Sequence, residues 1–388
     1  MPMKPGSVRL RPARNQSQAH PGVNPLSEYT HATQSYQPLP SPIGPPPYRV
    51  VLEETFPDIA KAAAQNKKLT FHAVGDTGGI KDATFQTDVA AAMVSDLAGA
   101  AGAPRPSFFY HLGDVVYFNG EVNDYYSQFY EPYEHYSAPI LSIPGNHDGD
   151  PVDSTQTSLD GWVRYFMSKT PGIDPISHDA PRVTLSLPNA YWTLVTPFFT
   201  LVGMYTNVPE GGSIDSIQQQ WLANEFAEAP ADKALIVALH HPVYSFDDHH
   251  SGSSRMADAI QNAINDTRRI PSLVLMGHVH NYQRIEKTIS GRAATPFIVV
   301  GGGGYHNLHH FNTDVHPDSG KTTDPKTGAT LVAGVDDQWS YLTLTVDARE
   351  IRGAVTCVDR SGKVTKGKDT FSYPAVTAAL PAGVSADL

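Results

Sequence analysis

Short apolar runs separated by polar and glycine-rich breaks recur along the chain, and their spacing defines its elements. Five runs stop abruptly at polar residues: 69–74, 107–112, 139–143, 234–239 and 273–276. Each reads as a buried strand. In 84–97, Phe85, Val89, Met93 and Leu97 share one helical face, and in 214–226 Ile217, Trp221, Leu222 and Phe226 do the same. Strands thus alternate with helices in the first part of the chain. Later runs at 182–187, 191–196, 198–204, 297–300, 341–346 and 351–358 are joined by short turns and predict a second, mixed sheet. The expected class is α/β, with two stacked mixed β-sheets flanked by helices in a four-layer α-β-β-α sandwich. In open sheets of this kind ligands bind beyond the carboxyl ends of the strands.

The two ends differ from the middle. Residues 1–47 are rich in Pro, Ser, Gln and Asn and close on Pro45, Pro46 and Pro47, which reads as an extended arm, a flexible segment in the favoured reading and one that wraps a neighbouring copy in a homo-oligomer in the other. Residues 374–388 read as a similar tail, leaving one catalytic domain over 48–373. Composition narrows the chemistry. The net charge is -11, from 39 acidic and 28 basic side chains, so a nucleic-acid backbone is repelled. The single cysteine, Cys357, excludes an internal disulfide and a cysteine-built zinc site, which leaves metal binding to His, Asp, Asn and Tyr among 17 histidines. No run reaches the roughly 18 apolar residues that span a bilayer, since Asp96 interrupts the alanine-rich stretch. No apolar stretch of an export signal follows Met1 to Arg14. The expected partner is a small substrate rather than a nucleic acid or membrane, and a cytoplasmic location is favoured over a secreted one.

Each of the five strands is followed by residues with metal-ligand chemistry: Asp76 in Gly-Asp-Thr-Gly, Asp114 and Tyr117 in Gly-Asp-Val-Val-Tyr, Asn146 and His147 in Gly-Asn-His-Asp, then His240, then His278 and His280 in Gly-His-Val-His. Strand ends converge on one rim of a sheet, so these scattered residues can meet at one point. A Gly-Asp turn alone is common, and Asn in a left-handed turn is an ordinary alternative for Gly145-Asn146. The order of the set, each member after a strand, points to a dinuclear centre with a carboxylate between the ions. His72, His111 and His135 lack such company and read as structural or surface residues, and His241 should point away from its neighbour His240.

This set resembles the calcineurin-like metallophosphoesterases, whose blocks run Asp, Gly-Asp, Gly-Asn-His-Asp/Glu, a strand-end His and Gly-His-x-His. Tyr117 three residues after Asp114, Gly78 in place of a first-block histidine, and the string from Gly277 to Arg284 make it similar to the purple acid phosphatases. His249 and His250 fall where plant members carry a histidine pair. The resemblance implies that Asp114, Tyr117 and His280 hold one ion, that Asn146, His240 and His278 hold the other, and that Asp76 bridges them. It implies Fe(III) with Fe(II), Zn(II) or Mn(II), and an acid phosphatase acting on phosphate monoesters through a metal-bound hydroxide. A phosphodiesterase or nucleotide hydrolase with the same site is the alternative. His147, His249 and His250 are the expected groups for phosphate and leaving oxygen, with Asp148 orienting His147. The loops 149–181 and 301–330, the latter with His306, His309, His310, Asp314 and His316, are expected to overhang the site and shape substrate choice.

Overall fold

The computed structural model describes residues 35–99, 105–315 and 320–388. Strands run in chain order as β1 (Arg49–Val51), β2 (Leu69–Val74), β3 (Phe109–His111), β4 (Ile140–Ser142), β5 (Trp192–Val195), β6 (Phe199–Gly203), β7 (Ala234–Leu239) and β8 (Leu273–Met276). They continue as β9 (Tyr282–Thr288), β10 (Ala294–Val300), β11 (Thr322–Thr323), β12 (Thr330–Val335), β13 (Trp339–Val346), β14 (Glu350–Val358) and β15 (Val364–Pro374). They form a nine-stranded sheet ordered β1-β5-β6-β7-β8-β10-β9-β12-β11 and a six-stranded sheet ordered β15-β14-β13-β2-β3-β4. Both are mixed: β2, β3 and β4 are mutually parallel while β13 runs antiparallel to β2. In the other sheet β6, β7, β8 and β10 are parallel and β9 turns back against β10.

The division between sheets differs from the one the sequence pattern predicts. The early strands do not form one sheet and the later strands another. The ends carrying Asp76, Asp114 and Asn146 belong to the six-stranded sheet, and those carrying His240 and His278 to the nine-stranded one. Pairing of β2 with β13 joins residues far apart in sequence, Val346 with Leu69 for example, and no local periodicity encodes such a choice.

The two sheets meet face to face through large side chains. The Phe71 ring on β2 lies 5.5 Å from Phe199 on β6, and Tyr110 on β3 lies 5.7 Å from Trp192 on β5. The indole Nε1–H of Trp192 donates to the Ser142 carbonyl at 2.9 Å, tying β5 to the end of β4. Every residue of β2, β7 and β8 is buried, as continuous apolar runs in parallel strands require. Helix Thr84–Ala98 packs on β13 and β14, with Val89, Met93 and Leu97 buried as the periodicity predicts. Helices Ser216–Glu228 and Ser254–Thr267 pack together. The second of these buries Met256, Ile260 and Ile264 at i, i+4, i+8 and starts on a Ser253 cap that accepts from the Met256 amide.

The predicted strand at 182–187 is not one. Val183 and Ser186 make only isolated bridges, to Ile173 and Met167. The Arg182 guanidinium instead donates to the carbonyls of Ala138, Tyr133 and Tyr136, pinning the loop to the core. Of the arm, residues 1–34 lie outside the described residues, while 35–47 run against the domain, with Leu39 and Ile43 on its core and the Ile43 amide donating to the Pro188 carbonyl at 3.0 Å. Residues 374–388 are docked rather than loose: Ala375, Leu380 and Ala386 are buried, and the Ala386 and Leu388 amides donate to Asn265 and Gln261. No helix among the described residues is long and apolar enough to cross a membrane.

Candidate metal centre

The exits of β2 and β3 are two Gly-Asp turns that lock together. The Asp76 amide donates to the Gly113 carbonyl at 2.9 Å and the Thr77 amide to the Asp114 carbonyl at 3.1 Å. Asp76, Asp114 and His278 hold φ values of 58°, 55° and 70°, a region that costs a residue with a Cβ about 1–3 kcal/mol. That cost at three candidate ligands is offset by the packing around them, and it turns their side chains inward. Gly113 sits at φ 96°, and a Cβ there would meet Gly145 N at 2.6 Å and His240 Nδ1 at 2.7 Å. Only glycine lets the three turns approach so closely.

All seven predicted metal residues come together. Asn146 Oδ1 lies 3.0 Å from His240 Nε2 and 3.0 Å from His278 Nδ1. Asp114 Oδ2 lies 3.3 Å from His240 Nε2. On the other side Tyr117 Oη lies 3.3 Å from Asp76 Oδ1 and 3.2 Å from His280 Nε2, and Asp76 Oδ1 is 3.6 Å from His280 Nε2. The neighbours of Asp76 are therefore Tyr117 and His280, which the expected division gave to Asp114, while Asp114 faces His240. Backbone carbonyls fix the tautomers. His240 Nδ1 bonds to Leu112 O at 2.8 Å and His280 Nδ1 to Asn307 O at 2.9 Å, so in each ring Nε2 is the nitrogen turned to the centre.

These residues fit a pair of cations. At Asn146 the Nδ1 lone pair of the neutral His278 ring, whose Nε2 is turned to Glu210, faces an amide oxygen, acceptor against acceptor, which is unfavourable until a cation lies between them. Asp76 and Asp114 are buried side by side. Burial, with the Asp114 charge adding to it, pushes the Asp76 carboxyl up to about 7, whereas His240 holds Asp114 below the usual carboxylate range despite burial. Burial and both carboxylates also push the Tyr117 hydroxyl well above its ordinary value. Burial lowers His278 and His280 to about 3, which keeps them neutral, the form a ligand needs. Against burial, the Asp114 and Asp76 charges push His240 up to about 9, so a cation at its Nε2 would take the place of a proton. Two carboxylates, a phenol, an amide oxygen and three imidazoles form a donor set of hard oxygens and nitrogens.

The other expected residues take different places. His147 donates its amide to Asp114 Oδ1 at 2.9 Å, its Nδ1 bonds to Phe118 O at 2.8 Å, and its ring lies 4.6 Å from that of Tyr117. Asp148 does not orient that ring. It turns inward and accepts from the amides of Val115, Val116 and Gly145, so it braces the turns beneath the site. His250 lies 4.2 Å from His278 ring to ring, whereas His249 stacks on His309 at 4.6 Å. His241 is buried behind the centre with Nδ1 on Thr206 Oγ1 at 2.8 Å. His72 and His111 are buried in the fold, bonded to Tyr136 and Thr77, and His135 is exposed beside Glu134.

Three residues near the centre carry no motif. Glu210 places Oε1 3.1 Å from His250 Nδ1 and 3.6 Å from His278 Nε2. The Tyr305 ring lies tilted 4.3 Å from Tyr117, and His309 stacks 4.2 Å from His280. Of the long loop expected to overhang the site, Tyr305 and His309 reach it; His316 lies outside the described residues.

The family model of the calcineurin-like phosphoesterases matches residues 69–282, more than half of the chain. The chain belongs to this family. As a member it falls in the class of phosphoric ester hydrolases. Tartrate-resistant acid phosphatase type 5 of Rattus norvegicus is 26% identical over 244 residues, 59% of this chain and 72% of the relative. The 3',5'-cyclic adenosine monophosphate phosphodiesterase CpdA of Escherichia coli is 28% identical over 180 residues, 45% of this chain and 55% of the relative. A purple acid phosphatase from yellow lupin seeds superposes with a TM-score of 0.55 at 18% identity, over 79% of this chain. The chain spans 53% of the lupin enzyme's length, and that likeness shows the shared phosphoesterase fold.

Proposed function

We propose that this phosphoesterase is a dinuclear-metal phosphomonoesterase of the acid phosphatase type. The observation that carries the reading is Tyr117, whose hydroxyl lies 3.3 Å from Asp76 and 3.2 Å from His280. An ionised phenol is a hard, negative donor suited to a trivalent ion. Asp76, Tyr117 and His280 are assigned to that ion, and Asn146, His240 and His278 to a divalent one. Asp114 is assigned between them, since it faces His240 and its charge also acts on Tyr117 and His280. Iron(III) with a divalent iron, zinc or manganese suits these donors. When bound, such a pair supplies Lewis acidity toward phosphate oxygens and activates water for attack.

The chain's own residues do the rest. Asp76, Asp114 and an ionised Tyr117 bring three negative charges, so a trivalent and divalent pair leaves an excess of two positive charges for an anion. His147, 4.6 Å from Tyr117 ring to ring, and His250, 4.2 Å from His278, flank the centre and are assigned to the ester. Burial opposes protonation of His250, but its hydrogen bond to Glu210 together with the charges of Glu210, Asp247 and Asp76 raises its pKa, which suits a group that hands a proton to the leaving oxygen. A monoester, with its dianionic terminal phosphoryl group, gains most from these extra donors.

The test is the rate of hydrolysis of p-nitrophenyl phosphate against bis(p-nitrophenyl) phosphate across pH, on protein loaded with iron and zinc. Preference for the monoester at acid pH supports the reading. Preference for the diester moves the function to the phosphodiesterase side of the family, which the relation to the cyclic-nucleotide enzyme favours.

A further inference from the structure

A second group of ligand-type side chains lies on the His280 flank of the centre: Asp247 and His249 from the loop after β7, and His309 from the loop after β10. One ligand atom from each lies within 4.8 Å of the other two. Asp247 and His309 are buried, at 4% and 5% exposure. The group is held in place. Asp247 Oδ2 accepts from the His249 and His250 amides at 3.0 and 2.8 Å. The Asn281 side-chain amide donates both to Asp247 Oδ1 at 3.3 Å and to the His309 carbonyl at 3.1 Å, so one residue sets the carboxylate against the histidine.

Within this group one atom is left over. His309 Nδ1 is buried without a hydrogen-bond partner, with Asp247 Oδ2 3.5 Å away. A buried, unpaired ring nitrogen is costly, and a cation between it and the carboxylate would satisfy both. His249 Nδ1 pairs with Asp248 Oδ1 at 2.5 Å, the carboxylate-histidine arrangement that backs a metal-ligating imidazole and leaves Nε2 as the ligand atom. Its ring is near parallel to that of His309, at 11°, so it must tilt for the two lone pairs to converge. With 54% of the His249 side chain exposed, that rotation meets little resistance.

We propose that Asp247, His249 and His309 form a third cation site for a divalent ion of zinc's type. Two imidazoles and one carboxylate are a familiar donor set for zinc with an open fourth position. An ion there offsets the buried Asp247 charge, and its ligand His309 stacks 4.2 Å from the His280 ring, so its charge adds to the field that draws a phosphate ester. The proposal is independent of which ester the centre hydrolyses.

The experiment is metal analysis of the full chain after saturation with iron and zinc and removal of loosely held ions, with calorimetric titration of the last zinc equivalent. Three ions per chain are expected in the wild type and two in both Asp247→Asn and His249→Ala. Because His249 is exposed, its variant keeps the test valid if Asp247→Asn fails to fold. Two ions in the wild type, or three in a folded variant, would overturn the proposal. Loss of all metal from His249→Ala would also overturn it, by showing that the group supports only the central pair.

Discussion

The Glu210 carboxylate lies 3.6 Å from His278 Nε2, on the far side of the ring from the Nδ1 that meets Asn146 Oδ1 at 3.0 Å. Carboxylate, imidazole and amide oxygen thus stand in line, with the ring's outer nitrogen facing an anion. An acceptor there favours the proton on Nε2 and leaves Nδ1 as the ligand atom. The same carboxylate meets His250 Nδ1 at 3.1 Å, so one exposed side chain biases both a candidate metal ligand and the proposed proton donor.

Glu210→Gln should therefore weaken zinc binding at the divalent site by about 10-fold, and Glu210→Ala by more. Competition against a chromophoric chelator measures this directly. Unchanged affinity in both variants would show that Glu210 merely rests on the ring.

Tyr117→Phe removes the phenolate while keeping the ring that packs 4.3 Å from Tyr305 and 4.6 Å from His147. Iron-loaded protein should lose any visible tyrosinate-to-iron absorption and retain its fold by circular dichroism. A variant that keeps the colour would remove Tyr117 from the ligand set.

His111 is buried with Nε2 on Thr77 Oγ1 at 2.8 Å and Nδ1 accepting from the Gly113 amide at 3.2 Å. Burial lowers its pKa from 6.5 to about 3. The folded state thus holds the neutral ring while the unfolded chain protonates near 6.5, so this contribution is fully present above 6.5 and is lost as pH falls toward 3. His111→Gln should be less stable at neutral pH but lose less stability between pH 6.5 and 4. Urea midpoints measured across that range test it, and parallel curves for both proteins would contradict the assignment.

Arg284 on β9 and Asp369 on β15 join the two sheets through paired hydrogen bonds of 2.7 and 3.0 Å, with Tyr282 Oη also donating to Asp369 at 2.7 Å. Both charged side chains are largely covered, at 14% and 13% exposure. Asp369→Ala leaves the Tyr282 hydroxyl unpaired and the Arg284 guanidinium with only Tyr373 and Glu286, and should cost on the order of 3 kcal/mol in denaturant unfolding. Arg284→Lys loses the paired geometry and should cost a substantial part of that. A loss below about 1 kcal/mol in Asp369→Ala would show the seam to be a solvated surface pair.

That seam also shows where sequence reading stopped. That the seven candidate positions would meet was legible because β2, β3, β4, β7 and β8 are apolar runs that end on Gly-Asp, Gly-Asn-His or His, and parallel strands in each sheet send such ends to one side. Strand β9 was not, because Gln283, Arg284, Glu286 and Lys287 read as polar loop until Asp369, Tyr373 and the Thr327 carbonyl are in place to satisfy Arg284, Glu286 and Lys287. The segment 182–187 failed in the opposite sense: it alternates like a strand, yet Arg182 finds carbonyl partners more than forty residues away in sequence. Glu210 and His309 belong to no local pattern and acquire their neighbours only from the fold.

The two carboxylates of the centre make the sharpest test of how it is shared. Asp76 has Tyr117 and His280 as its nearest partners, while Asp114 faces His240 and accepts from the His147 amide, central to the whole set. If Asp114 spans both ions, Asp114→Asn should lose both, because a neutral amide cannot offset two neighbouring cations. Asp76→Asn should lose only the ion beside Tyr117 and keep a zinc ion held by Asn146, His240 and His278. Metal analysis of the two variants at limiting iron and zinc gives the answer. The reverse outcome, with one ion kept in Asp114→Asn and none in Asp76→Asn, would return the bridging role to Asp76.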